Sequence, residues 1–85
     1  MRPRSIPYGA KNICGANVER LRKARGMKQH ELVAQMQIKG VDINPSSLSK
    51  LEGQVRVATD IEIKAIAEIL DVDIAELFAE RKKEP

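Results

Sequence analysis

The stretch Asn44-Pro45-Ser46-Ser47-Leu48-Ser49-Lys50-Leu51-Glu52-Gly53 constrains the rest of the chain more than any other. Asn44 is a strong N-cap residue type, and Pro45 stands at the first helical position, where its missing N–H costs nothing. Gly53 is expected to adopt the left-handed conformation that closes the far end. This predicts a short helix with both ends marked, on which only Leu48 and Leu51 ask for burial. A helix held down by two leucines leaves Ser46, Ser47, Ser49 and Lys50 to face a partner. Short hydroxyl donors and acceptors beside a cation match what phosphates and base edges offer, so nucleic acid is the partner these residues suit.

Length and charge narrow the possibilities further. Eighty-five residues make one small domain with tails and little core to spare, which argues against a deep active-site pocket. No run approaches the roughly 18 apolar residues of a membrane span, and no apolar segment follows the first residues as an export signal would require. The single cysteine, Cys14, can form neither an internal disulfide nor a cysteine-based metal site, and it fits a reducing cytoplasm. The net charge of +3 conceals an asymmetry: residues 1–58 carry 11 Lys or Arg against 4 Asp or Glu, a net of +7, whereas residues 59–85 carry 4 against 8, a net of −4. A basic front attracts polyanions through counterion release, and an acidic rear confines that attraction to one face.

Residues 1–12 hold Arg2, Arg4 and Lys11 among Pro3, Pro7 and Gly9, too polar and broken for a regular element. They are expected to form a basic flexible arm of the kind that lies in a minor groove or along phosphates. A helical pattern then runs from Asn12 or Ile13 to Arg25, with Cys14, Val18 and Leu21 on one face and Gly26 as its stop. Gly15 weakens the pattern's first turn. The cations Arg20, Arg22, Lys23 and Arg25 complement the C-terminal dipole of that helix.

Met27 and Leu32 bracket the next helix start as a hydrophobic staple, with Lys28 at the cap, Gln29 first in the helix and Glu31 third. A cation at a helix N-terminus opposes the dipole, which points to an anion such as phosphate docking beside Lys28 and Gln29. Leu32, Val33 and Met36 supply the buried face, and the helix runs to Gly40. Val41-Asp42-Ile43 turns the chain into the Asn44 helix, with Ile43 and Leu48 as a second staple. Two helices joined in this way have the syntax of a helix-turn-helix. An irregular segment, Gln54 to Ala58, carries Arg56. Thr59-Asp60-Ile61-Glu62 is a capping box opening an amphipathic helix through Ile63, Ile66, Ala67 and Leu70. Asp73 caps a last helix that is expected to offer Ile74, Leu77 and Phe78 to the core, before a charged tail over residues 81–85. The expectation is all-α: five helices, no strand, and one domain over residues 13–80.

The residues Val18-x-x-Leu21-Arg22, Gly26-Met27-x-Gln29-x-x-Leu32, Ser47-Leu48-Ser49-x-Leu51-Glu52 and Leu70-x-Val72-x-x-x-x-Leu77-Phe78 together resemble the phage repressor and Cro-type (XRE-like) helix-turn-helix family. The resemblance spans about Ile13 to Phe78 and implies a compact five-helix lambda-repressor-like domain. It also implies a third helix that enters the major groove, and homodimers that read two half-sites. Carried over by position, it puts Gln29 at a phosphate contact at the start of the second helix. Pro45, Ser46, Ser47, Ser49 and Lys50 fall on or beside base-reading positions. Arg22 and Glu52 fall on a paired position, where an Arg–Glu bond orients the recognition helix rather than adding much stability. Three features depart from the family pattern: a longer connection from Met36 to Ile43, Lys28 in place of a hydroxyl cap, and a glycine at 53 rather than one place later.

The DNA-binding set expected from sequence is therefore Lys28, Gln29, Asn44, Pro45, Ser46, Ser47, Ser49, Lys50 and Arg56, with Arg22 and Glu52 as the orienting pair. Lys50 can donate to guanine O6 and N7, the serines fit several bases, and Lys28, Gln29 and Arg56 suit phosphates. The function these readings imply is a sequence-specific, cytoplasmic transcriptional regulator, a repressor acting by operator occlusion on double-stranded DNA. The alternative is a protein-interaction module, such as an antitoxin or adaptor that uses the acidic C-terminal half. A second apolar stripe, Ile61, Ala65 and Ile69, is either core or a homodimer surface. One histidine, one cysteine and scattered carboxylates converge on no catalytic or metal-binding constellation. Beside His30-Glu31, Ala34 stands where a zinc-protease motif needs its second histidine, so no enzyme activity, metal or cofactor is expected.

Overall fold

Five short helices succeed one another in the computed structural model, which describes residues 12–79: α1 (Gly15–Ala24), α2 (Gln29–Ile38), α3 (Pro45–Glu52), α4 (Asp60–Leu70) and α5 (Ile74–Leu77). The chain is all-α over these residues. The expected arm, apart from Asn12, and the charged tail lie outside them. Asn12 itself is 4 % exposed and belongs to the folded body.

The first four helices end alike. In each, two backbone N–H groups reach back to close the last turn: Gly26 and Met27 to Lys23 and Arg22, Gly40 and Val41 to Gln37 and Met36, Gln54 and Val55 to Leu51 and Lys50, Asp71 and Val72 to Glu68 and Ala67. This satisfies carbonyls that a helix end would leave bare, and it needs one residue with positive φ. Gly26 (φ 67°), Gly40 (φ 90°), Gln54 (φ 64°) and Asp71 (φ 58°) fill that role. The expectation that Gly53 would be the left-handed residue is thus corrected. Gly53 sits at φ −78°, ψ −2°, one helical step further on, and Gln54 takes the strained conformation.

The helix faces meet in one core. Val18 and Leu21 of α1, Leu32, Val33 and Met36 of α2, Leu48 and Leu51 of α3, Ile66 and Leu70 of α4 and Leu77 of α5 are all buried, joined by Cys14, Val41 and Ile43. Burial also raises the Cys14 thiol above its ordinary value. Each fully buried leucine or isoleucine stabilises by about 1.5–3 kcal/mol relative to exposure, so the packing of α2 on α3 and α4, of α1 on α3, α4 and α5, and of α4 on α5 dominates the fold. Ala65 is buried and Ile69 half-buried against this core, leaving only Ile61 of the second α4 stripe outside. Ile74 and Phe78, expected in the core, stand 47 % and 43 % exposed, because α5 is a single turn with room for one inward residue, Leu77.

Gly15, which weakened the sequence pattern, has a steric purpose. It is the first residue of α1 and is buried; a Cβ there would collide with the Leu51 carbonyl oxygen and come to 3.0 Å from Gln54 Cγ. Its missing side chain lets α1 approach the end of α3.

Candidate nucleic-acid interface

The face of α3 is set by its register. Leu48 and Leu51, three apart, are fully buried, so the intervening positions turn outward: Asn44, Pro45, Ser46, Ser49 and Lys50 are exposed and Ser47 is half-buried. The Asn44 side chain accepts from the Ser47 N–H at 2.8 Å, so its oxygen is engaged in capping. The longer connection ahead of α3 is braced from inside. Val41 and Ile43 point into the core, Asp42 points out, and Gln37 Nε2 donates to the Ile43 carbonyl at 2.7 Å.

Three anchors hold this helix from behind. At its C-terminus, Glu52 receives a two-pronged bond from Arg22, Nε to Oε2 at 2.7 Å and Nη2 to Oε1 at 2.9 Å, with side-chain exposures of 3 % and 7 %. Arg22 Nη1 also donates to the Met27 carbonyl at 2.8 Å. The Glu52 bond outweighs burial and raises the Arg22 guanidinium above its ordinary value. Gln29 Nε2 donates to Glu52 Oε1 at 2.9 Å, so one carboxylate ties α1, the start of α2 and the end of α3 together. Gln29 is half-buried, with one amide hydrogen engaged in this bond.

The second anchor is Arg56, whose place differs from that expected. Nε donates to the Ser47 carbonyl at 3.0 Å, Nη1 to the Val57 carbonyl at 2.8 Å, and Nη1 and Nη2 grip Glu62 at 3.0 Å each. Its charge is met by a carboxylate, and most of its donors face protein; it clamps the middle of α3 to the start of α4. Glu62 closes the α4 capping box by accepting from Thr59 N–H at 2.9 Å. Burial opposes ionisation of Glu62, but the bonds from Arg56 and Thr59 outweigh it and hold the carboxyl below its ordinary value.

The third anchor was assigned by sequence to the arm. Asn12 Nδ2 donates to the carbonyls of Leu51 at 2.9 Å and Arg56 at 3.0 Å, while its Oδ1 accepts from the N–H groups of Cys14 and Gly15. An Asn three residues ahead of a helical glycine was the available signal, masked by the polar composition before it. Asn17 was missed as well. It sits on the inner face of α1, 3 % exposed, and its Nδ2 donates to the Leu77 and Ala79 carbonyls at 2.9 Å, fastening α5.

At the start of α2, Lys28 is exposed and its backbone N–H donates to Glu31 Oε1 at 2.8 Å. An ammonium has no lone pair, so Lys28 cannot return the bond a hydroxyl cap would make. Lys28 and Gln29 thus lie at one helix start, Gln29 joined through Glu52 to the end of α3, while the Arg56 side chain is directed to α4. His30 is exposed on α2. Among the described residues no helix is long and apolar enough to cross a membrane.

No curated protein and no solved structure matches the chain. Residues 17–81 match the family model described as the Cro/C1-type HTH DNA-binding domain, a span that begins within α1 and takes in α2 to α5. Through that match and a short, outward-facing third helix tied to the helix before it, the chain belongs to the Cro/C1-type helix-turn-helix DNA-binding family.

Proposed function

We propose that the protein is a sequence-specific transcriptional regulator of the cytoplasm, which represses by covering promoter DNA. It lays α3 in the major groove, and two copies read half-sites about 34 Å apart. The observation that supports this is the state of α3. Its polar face is open along Asn44, Pro45, Ser46, Ser49 and Lys50, while Glu52, the Ser47 carbonyl and the Leu51 carbonyl are held by Arg22, Arg56 and Asn12. A helix so fixed presents its side chains without a backbone ordering cost on binding. Lys50 is the base reader, donating to guanine O6 and N7, and Ser46, Ser47 and Ser49 add short, tolerant contacts. Lys28 and Gln29 meet phosphate at the start of α2. Arg56 contributes by positioning α3.

Two substitutions separate these roles. Lys50→Ala relaxes base preference, whereas Gln29→Ala, which removes a neutral hydrogen-bond donor, weakens all sequences alike. Equal effects from both would refute the assignment of Lys50. A wild-type protein that bound every DNA weakly and uniformly, and co-purified with a protein partner, would overturn the regulator in favour of an interaction module.

A further inference from the structure

Two surfaces of the folded body carry unmatched charge beside exposed apolar side chains, and the two charges have opposite sign. The first is a shallow cavity of about 250 Å³ between α2 and α4, lined by Lys39, Val41, Ile61, Lys64, Ala65 and Glu68. Val41 and Ala65 are buried there, and Ile61 stands 65 % exposed. Glu68 pairs with Lys39 at 3.1 Å and with Lys64 at 2.8 Å, so two ammonium groups share one carboxylate and the cavity keeps one positive charge in excess. The second surface is α5. Leu77 alone fills its core side, which leaves Ile74 and Phe78, four residues apart, on the outside. Asp71, Asp73 and Glu76 are exposed around them, and no Lys or Arg stands between residues 70 and 79. Among the described residues none of these three carboxylates is in an ion pair; Arg25 donates to the backbone carbonyl of Asp71, not to a carboxylate.

From this we infer that α5 of one copy seats Ile74 and Phe78 in the α2–α4 cavity of a second copy, so that the chain assembles head to tail. The two apolar side chains meet Val41, Ile61 and Ala65. Asp73 and Glu76 come up against Lys39 and Lys64, whose shared carboxylate leaves one of them to be matched from outside. A copy cannot fill its own cavity. Its α5 packs on α1 and α4 and follows the last turn of α4, whereas Ile61 stands in the first turn, roughly 14 Å away along the helix axis. A contact between two different surfaces passes from copy to copy without closing, unlike a two-fold contact. The exposed valines at 55 and 57 offer no such complement, because Arg56 between them is already paired with Glu62. Neither surface of the head-to-tail contact includes a residue of the DNA-reading set, so the two roles do not compete for side chains.

Area sets the strength of the contact. Ile61, Ile74 and Phe78 together bring on the order of 300 Å² of apolar surface to it, well short of the ~1,200 Å² at the low end of stable interfaces. The free protein is therefore monomeric at micromolar concentration, and assembly shows itself at roughly 0.1–1 mM.

The test is sedimentation velocity of the full chain, without DNA, up to about 1 mM. Wild type should show an average mass that climbs with concentration past that of a dimer. Lys64→Glu spoils the cavity and Phe78→Ser spoils the α5 surface, so each variant keeps one good surface and should stay monomeric. Mixed in equal amounts, the two should form a pair and nothing larger, because α5 of the first enters the cavity of the second. Helical circular dichroism checks that each variant folds, and a second set, Ile61→Asp with Glu76→Lys, should repeat the result and decides the matter where one of the first set has lost its helices. A wild type that stays monomeric at 1 mM would overturn the inference. So would a wild-type dimer that both single variants retain, the mark of a two-fold contact elsewhere, or a mixture of folded variants that forms no pair.

Discussion

Removing Arg22 tests the architecture most directly. Both charges of the Arg22–Glu52 pair are nearly inaccessible, at 7 % and 3 % side-chain exposure, so Arg22→Ala strands a carboxylate whose one remaining side-chain partner is Gln29. Breaking a buried pair by deleting one member costs about 3–5 kcal/mol. The described body of the protein, at roughly 0.05–0.15 kcal/mol per residue, has a total stability of about 3–10 kcal/mol. The substitution thus removes a third or more of the stability. The midpoint falls by about 4–8 °C for each kcal/mol in a domain of this size, giving a fall of roughly 12–40 °C in thermal unfolding followed by circular dichroism. This revises the sequence-based view of the pair as chiefly geometric, since an exposed pair would cost under about 1 kcal/mol. Replacing both members, Arg22→Met with Glu52→Leu, should restore stability to within about 1–2 kcal/mol of wild type, because no charge is then buried. The double variant should still bind DNA more weakly, having lost the group that orients Gln29. A fall of less than about 5 °C for Arg22→Ala would show that water reaches Glu52 and would refute the reasoning.

Other perturbations probe the remaining anchors. Gly15→Ala gains about 1 kcal/mol of helix propensity but drives a methyl into the Leu51 carbonyl, a backbone atom that cannot swing aside, so overpacking of about 1–3 kcal/mol prevails and urea unfolding shows a net loss. Glu62 has its pKa lowered in the folded state, so its contribution is fully present above the ordinary value of 4.5 and is lost as pH falls below it. Glu62→Gln should therefore flatten the stability–pH curve below that value, and an unchanged acid limb would show that Arg56 does not stabilise the ionised form. Gln54→Gly relieves left-handed strain of about 1–2 kcal/mol and forfeits the bond to Asn12, worth about 0.5–1.5 kcal/mol, for a net change near zero. Gln54→Ala keeps the strain and loses the bond, and should cost about 1 kcal/mol in the same assay.

The sequence by itself determined what depends on near neighbours. Caps, staples and 3.6-residue spacing are local, which is why the existence of α1 to α4 and the outward face of α3 could be read from Asn44-Pro45, Thr59-x-x-Glu62 and the paired leucines. The helix-turn-helix order and the family resemblance rest on the same local marks. What only the tertiary structure decided are the assignments that compare distant partners. Whether Arg56 meets phosphate or Glu62, whether Asn12 belongs to an arm or to the floor beneath α3, and whether Gly15 is a flaw or a clearance depend on atoms 6 to 44 positions away along the chain. A one-turn α5 left Ile74 and Phe78 outside for the same reason: how many of its residues reach the core is set by what α1 and α4 already fill. Even the end of α3, whose glycine seemed to mark the closure, was settled by tertiary contact. Gln54 accepts the left-handed turn where its side chain can reach the Asn12 carbonyl, and α3 gains one more residue before it stops.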